Sequence, residues 1–521
     1  MEHTHTTHKE QSSRLIKIAL FATGFSGIVA EYVLATMATY FLGNSVLQFT
    51  MILSVMLFSM GLGSRFSKYF SEHLLEKFLL AELALSILVG FAAIIVYTVA
   101  GFSLYKGLAI YTLSILIGLL IGLEIPLVTR INSEYEQLKT NISSVMENDY
   151  YGSLVGGVFF AYIGLPYLGL TYTPFVLGGI NFLVALFLFY QLKKLIVPRY
   201  KTWLNILAGI VGVALVGGVI FAEPIILYGE QARYKDKVIF EKQSRYQKVV
   251  VTQWKDEYWL YINGNQQFST LDEWLYHEPM VHPVMNLGTS PRDILIVGGG
   301  DGAIVRELLK YPSVNTIRLV DLDPVITDLG QEHPIFVEMN QNSLKSPKVK
   351  ITNDDAFTFI EQDKQFYDLI IVDLPDPKTV ELSRLYSKEF YFMCHRQLRE
   401  RGLFITQAGS PYYATQAFKC IEKTLQAAGF NTLPLHNQVV TLGEWGWQVG
   451  SKTLLGEEMK KRMVQMDFEG IETRWINKEA MSLITSFGKD FTIVKDEDVE
   501  VNTVHNPVLR GYYKKGNWDL Y

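Results

Sequence analysis

Cysteine is nearly absent from this chain of 521 residues. Cys394 and Cys420 are its only two, without CxxC spacing, which excludes a disulfide framework and a cysteine-built zinc site. A surplus of positive charge is absent as well: 47 Lys and Arg stand against 52 Asp and Glu, a net charge of −5. No basic footprint marks a nucleic-acid partner, and none is expected. The N-terminus lacks the pattern of a cleavable secretory signal, since Arg14 and Lys17 lead into a full-length apolar run. Before them, MEHTHTTHKEQS carries His3, His5 and His8. Residues 1–14 are read as a disordered tail rather than a metal site.

What the chain has in quantity is apolar sequence, 49% of its residues. It is too long for one hydrophobic core, and the apolar excess is uneven. Residues 15–227 carry long apolar runs, whereas 228–521 have the composition of a charged globular protein. A helix needs about 20 mostly apolar residues to cross a bilayer. Seven stretches are read as spans: Ile18–Tyr40, Val46–Leu62, Leu79–Ala100, Gly107–Val128, Tyr151–Leu170, Thr173–Leu192 and Trp203–Phe221. The second is short, and the fifth is rich in glycine and holds Pro166. Residues 15–227 are therefore expected to form an all-α multi-span membrane domain with the lipid bilayer as partner. Glycines such as those of GSLVGGV allow close helix packing there.

Arg14 and Lys17 precede the first span. Arg65, Lys68 and Lys77 follow the second, Arg130 and Lys139 the fourth, and Lys193, Lys194, Arg199 and Lys201 the sixth; the other loops hold only Lys106. This bias puts the N-terminus inside and, with seven spans, residues 228–521 outside. Glu31, Glu82 and Glu124 lie in or near the spans. Intramembrane carboxylates usually face a bundle interior or an aqueous path. Glu31, in mid-span, is the best candidate for a cation site; Glu82 can instead snorkel beside Lys77, and Glu124, near Pro126, can sit at an interface.

In the second half, Val249–Thr252 and Tyr258–Ile262 are β-branched or aromatic runs around a polar turn, a hairpin within a small β region over 228–290. Residues 291–454 then read as an α/β Rossmann-like domain of methyltransferase type, with a C-terminal extension over 455–521. Ile294–Val297 is a buried strand leading into GGGDG, whose Gly298 and Gly300 let the backbone turn tightly and approach a ligand. Asp321, 23 positions after Gly298 and ending the next strand, suits a ribose diol. Asp301 inside the turn would repel a pyrophosphate, so a sulfonium nucleoside fits better than NAD; a helix-capping role for Asp301 is compatible with either. Asp354 and Asp355 follow another strand, where a base would lie, and one of them can cap the helix beginning at Ala356. Finally, LIIVDLPDPKT ends a fully apolar strand on Asp373 and Asp376. Ligands of open α/β sheets bind at that edge, where Asp301, Asp373 and Asp376 should converge.

Tyr276-His277-Glu278, ILIVGGGDGAIVRE, VDLD, NDDAF and IIVDLPDP, in this order, resemble the polyamine aminopropyltransferases, the spermidine synthase family. YQKVVV and LYING are similar to its N-terminal hairpin region, and the long apolar half with VNTVHNPVLRGYYKKGNW resembles the family's membrane-attached branch. The resemblance implies aminopropyl transfer from decarboxylated S-adenosylmethionine, a co-substrate, to a diamine such as putrescine, with no cofactor and no metal. Asp373 would be the catalytic proton acceptor. Tyr276, His277, Asp301 and Asp376 would bind the amine, and Gln247, Asp321, Asp355 and the Ala356 backbone the thioadenosine. Three departures stand out. Asp321 replaces the usual Glu, no Gly-Pro follows the aspartate pair in DPKTVELSRLYS, and HNQVVTLGEWGWQVG lacks the expected tyrosine. A methyltransferase and a membrane transporter or sensor with a polyamine-binding domain are the alternative readings. Homo-oligomerisation is left open. Because the nucleoside is made in the cytosol, the cell-membrane protein is expected to keep its catalytic domain on the cytosolic side, against the charge bias.

Overall fold

The computed structural model describes residues 2–102, 105–133, 137–231, 233–288, 290–488 and 498–518. It divides into a helical unit, residues 1–238 with 243–248, and an α/β unit, residues 239–242 with 249–521.

In the helical unit, α1 is Glu2–Leu42, α2 Ser45–Phe66, α3 Leu74–Gly90, α4 Ala92–Phe102, α5 Lys106–Asn132, α6 Leu138–Phe159, α7 Gly169–Leu192 and α8 Pro198–Gln231. Residues 2–14, expected as an irregular tail, enter as the first turns of α1; the three histidine side chains lie outside the described residues. Among the described residues five helical runs are long and apolar enough to cross a membrane, or six when α3 and α4, bent by 43°, count as one. One of the five is the 54-residue run Lys139–Leu192. It doubles back: Thr173 Oγ1 donates to the Gly164 carbonyl at 2.9 Å, whereas nine residues of continuous helix would separate them by about 13 Å. The reversal falls at Gly169 (φ 62°), after a π-helical stretch, Phe160–Leu168, containing Pro166. The sequence divides this run into two apolar stretches, Tyr151–Leu170 and Thr173–Leu192.

Glycine sets the closest helix contacts. A Cβ on Gly152 would lie 2.0 Å from the Phe21 carbonyl oxygen, and one on Gly156 2.6 Å from that of Phe25. Two glycines of GSLVGGV thus let α6 lie directly on α1. Glu82 and Glu124 are both 0% exposed, so Glu82 does not snorkel to the surface beside Lys77. Glu31 is also buried.

The α/β unit begins with a four-stranded sheet in chain order: β1 Lys237–Gln243, β2 Lys248–Trp254, β3 Glu257–Ile262 and β4 Asn265–Ser269. The expected hairpin is its centre, β2 pairing antiparallel with β3 from Val249↔Ile262 to Trp254↔Glu257. Helix α9, Trp274–Leu287, leads into a seven-stranded sheet. Its strands are β5 Asp293–Gly298, β6 Thr316–Asp321, β7 Val349–Asn353, β8 Tyr367–Asp373, β9 Leu398–Gly409, β10 Asn431–Val439 and β11 Gly443–Ser451, in spatial order β10-β11-β9-β8-β5-β6-β7. The five strands from β7 to β9 are parallel, and β11 and β10 are antiparallel. This is the mixed Rossmann-like sheet of methyltransferase type.

Alternation along the strands gives the sheet two cores. Ile294, Ile296, Leu369 and Ile371 pack into one, and Leu295, Val297, Ile370 and Val372 into the other. Helices cover both faces, so these strands are apolar throughout. The C-terminal extension is built into the same cores, with Met459, Phe468 and Met481 on one side and Leu509 and Tyr513 on the other.

At the end of β5, Gly298 pairs with Asp373 of β8. It has φ 82°, and a Cβ there would lie 1.8 Å from the Asp373 carbonyl oxygen. Gly298→Ala should therefore strain the backbone by about 1–3 kcal/mol and lower the melting temperature. Gly511→Ala, in a helix with open space around it, should leave the melting temperature unchanged and serves as the control.

Candidate active site

The chain leaves β5 towards β6 and leaves β8, its neighbour, towards β9 on the other side. Between them lies the topological switch point, where open α/β sheets bind ligands beyond the strand ends. Four sequence-predicted residues meet at this rim. One ligating atom from each of His277, Asp301 and Asp373 falls within 4.8 Å of the others. The Tyr276 hydroxyl donates to Asp373 Oδ1 at 2.6 Å. Helix α9 carries the Tyr276 and His277 side chains, β8 ends on Asp373, and the glycine turn after β5 carries Asp301.

Each group is held from behind. Tyr276 packs edge-on against Trp447, centroids 5.3 Å apart. His277 Nδ1 is 2.7 Å from Glu273 Oε2, and Arg306 donates to both Glu273 oxygens at 2.8 and 3.0 Å. Burial alone would raise the Glu273 pKa, but His277 and Arg306 hold it down at about 2. Burial likewise opposes the charged form of His277; Glu273, with Asp301 and Asp373 beyond it, outweighs burial and raises its pKa. Burial pushes Asp373 up to about 6, helped by the charge of Asp301 and opposed by His277 and the Tyr276 hydroxyl. The rim therefore presents a carboxylate able to take a proton near neutrality beside a histidine that favours its cationic form. Asp301 is also a local cap, its Oδ1 accepting from the Ala303 amide at 2.8 Å.

Asp376 lies further along the loop after β8. Tyr513, from the helix Leu509–Lys514, donates to Asp376 Oδ2 at 2.5 Å. Lys378 Nζ stands 3.4 Å from the same carboxylate, donates to Asn265 Oδ1 at 2.7 Å and lies 5.6 Å from the centre of the Tyr513 ring. An ammonium group on the chain itself thus already sits at this aspartate, over an aromatic face.

On the nucleoside side, Asp321 accepts from the Gly300 amide at 3.1 Å and the Asp323 amide at 3.0 Å. Burial raises its pKa to about 6 despite these donors. A Cβ on Gly300 would lie 2.7 Å from Asp321 Oδ2, so the glycine turn and the carboxylate touch. Asp355 caps the helix Ala356–Gln362, accepting from the Thr358 amide at 3.0 Å, and forms an ion pair with Arg384. Ala356 is buried at the start of that helix. Gln247 belongs to the turn before β2, where its carbonyl accepts from the Ser244 amide at 2.9 Å.

Sequence reasoning missed three things. Tyr513 lies 137 residues from Asp376, and no spacing rule links them; the ending VNTVHNPVLRGYYKKGNW stood out without a role for this tyrosine. It supplies a phenol to a rim where HNQVVTLGEWGWQVG has none. The Glu273–Arg306 pair behind His277 had no motif. Glu278, part of the Tyr276-His277-Glu278 signature, turns away from the rim and accepts from the backbone amides of Arg474, Trp475 and Ile476 at 2.6, 2.9 and 2.9 Å. Glu278, His282 and Glu307 form the other cluster with metal-compatible spacing among the described residues. Its donors are engaged by these amides and, at Glu307, by Arg306 and Lys310.

A doubly wound sheet of this kind is an architecture in which nucleotides bind at the switch point. Comparison with known proteins narrows it. Residues 273–460 match the spermine/spermidine synthase domain. Polyamine aminopropyltransferase 2 of Aquifex aeolicus is 44% identical over 96% of this chain and 99% of its own length. The polyamine aminopropyltransferase of Leptospira interrogans is 38% identical over 96% and 97%. A spermidine synthase solved with the transition-state analogue AdoDATO is 24% identical, covering 49% of this chain and 89% of that one, with a TM-score of 0.45. The chain belongs to the polyamine aminopropyltransferases and is a transferase of polyamine biosynthesis. The methyltransferase alternative falls with that assignment.

Arg306→Met should leave Glu273 buried against a lone histidine. Breaking a buried pair by removing one partner costs about 3–5 kcal/mol, so a large fall in the thermal unfolding midpoint is expected. An unchanged midpoint would contradict the role of Arg306.

Proposed function

We propose that the protein transfers the aminopropyl group of decarboxylated S-adenosylmethionine to a diamine, putrescine by default, giving spermidine and methylthioadenosine. The observation that carries this reading is the meeting of Asp301, Asp373 and His277 at the switch point, with Asp376 on the adjoining loop. An amine nucleophile must be bound as a cation and lose a proton before it attacks the carbon next to the sulfonium. Carboxylates suit both tasks. Asp373, with its pKa raised to about 6, is the proton acceptor. Asp301 and Asp376 hold ammonium groups, Tyr276 and His277 line the acceptor path, and Asp321 takes the ribose hydroxyls. Gln247, Asp355 and Ala356 complete the nucleoside side in this reading. Mass analysis of the products formed with a panel of amines identifies the acceptor.

Asp373→Asn keeps the shape but takes no proton. Turnover should fall about 10²–10⁴-fold with methylthioadenosine affinity nearly unchanged; near-normal turnover would remove Asp373 from the mechanism. In the wild type, kcat/KM should fall as pH drops through about 6, where Asp373 becomes protonated. Tyr276→Phe removes a hydrogen bond that lowers the Asp373 pKa, so this acidic limb should move to higher pH.

We also propose that the helical unit lies in the cell membrane, a multi-pass anchor with the catalytic unit in the cytosol. Supporting this, α2 and α8 turn large apolar side chains outward, among them Phe58 at 68% and Val213 at 76% exposure, surfaces of a kind that suits lipid better than water. The lysine and arginine bias over seven passes favours the opposite side, but an outside enzyme would need its charged nucleoside exported. Protease added to intact cells should leave residues 239–521 uncut, and permeabilised cells should lose them. Cleavage in intact cells would reverse the assignment.

A further inference from the structure

The deepest polar groups of the helical unit have no part in aminopropyl transfer. Glu82 of α3 and Glu124 of α5 are both 0% exposed, yet three of their four carboxylate oxygens, Glu82 Oε2 and both of Glu124, have no hydrogen-bond partner. Glu82 Oε1 accepts from Thr23 Oγ1 of α1 at 3.1 Å. Glu124 lies within electrostatic reach of Glu82, of Thr23 and of Asp149 on α6. Asp149 in turn abuts α1 one residue beyond Thr23: a Cβ on Gly24 would lie 2.9 Å from Asp149 Oδ1. Four helices thus aim oxygen-bearing side chains at one place.

Neither Glu82 nor Glu124 forms a salt bridge among the described residues. Helices α4 and α7 contain no Asp, Glu, Lys, Arg or His, and Arg65, the one charged residue of α2, is exposed at its end. Arg130 of α5 donates to the carbonyls of Phe70 and Ser67. On α8, Glu230 binds Tyr40 and Arg233, and Glu223 accepts from Tyr172. On α3 itself, Glu76 accepts from the Val197 amide. Two neighbouring buried carboxylates served by a single hydroxyl donor and no ion-pair partner cannot both stay ionised in such an interior; one or both must carry a proton.

We propose that Glu82 and Glu124, flanked by Thr23 and Asp149, form a proton-binding site inside the helical unit. The ligand is the proton, which needs no cavity, removes a buried charge and turns one of the three uncompensated oxygens into a donor. Like-charged carboxylates that share protons in this way are the usual equipment of an intramembrane proton relay. The helical unit is thus more than an anchor: it can take up and release protons between its helices, independently of the chemistry at Asp373.

Difference infrared spectroscopy on the purified full-length protein in detergent tests this. At neutral pH the wild type should show the carbonyl band of a protonated carboxylic acid that bleaches at alkaline pH. Glu82→Gln and Glu124→Gln should each change that band, and the double variant should abolish this component. An identical band in the wild type and the folded double variant would overturn the proposal. Should the glutamine variants fail to fold, Glu82→Asp and Glu124→Asp keep a titratable group and should shift the band's frequency; an unshifted band would equally overturn it.

Discussion

The parallel pairing of β5 with β8 is the constraint on which the site depends. It brings Gly298 so close to the Asp373 carbonyl that no side chain fits between them. That contact fixes where the glycine turn leaves the sheet, and therefore where Asp301 and Gly300 stand relative to Asp373. Because β6 and β9 lie on opposite sides of this pair, the ends of β5 and β8 mark the switch point at which open α/β sheets bind ligands. The buried aliphatic strands beneath give the rim its rigidity. They also remove it from water, which raises the Asp373 pKa to about 6.

Charge at this rim is balanced in layers. Asp373 and Asp301 face His277, His277 leans on Glu273, and Glu273 is gripped by Arg306. Removing charge from any layer changes the protonation preference of the next. Lys378 extends the same logic outward, meeting Asp376 with an ammonium group of the protein's own. In the proposed reading an amine at Asp376 would compete with Lys378, so its affinity there would be a difference between two pairings rather than the strength of one.

Much of this was legible in the sequence because fully buried parallel strands read as unbroken aliphatic runs and their ends are marked by glycine and aspartate. Ile294–Val297 and Leu369–Val372 announced β5 and β8, and the residues that follow them are the ones that meet. Hydropathy also separated Tyr151–Leu170 from Thr173–Leu192, the two arms that reverse at Gly169. What it could not give was orientation around a helix axis. Glu82 beside Lys77 suggested snorkelling, yet its side chain points into the bundle, because being apolar on all sides leaves no periodic signal of which face is inside. Long-range contacts were equally silent: nothing local pairs Asp355 with Arg384 or Tyr513 with Asp376.

The extension after residue 454 illustrates how such silent contacts reshape a site. Glu278 belongs to the Tyr276-His277-Glu278 motif, but its carboxylate is spent on three consecutive amides of the extension. The neighbouring residues of the same helix, Tyr276 and His277, face the rim. One turn of α9 therefore has two jobs, holding the extension with one residue and lining the rim beside Asp373 with the others. Further on, the extension returns to the rim, where Tyr513 meets Asp376. Because Leu509 and Tyr513 are also buried in the sheet's second core, this phenol is positioned by packing rather than by a flexible tail. The segment that looks like an appendage in sequence is, in space, one wall of the site.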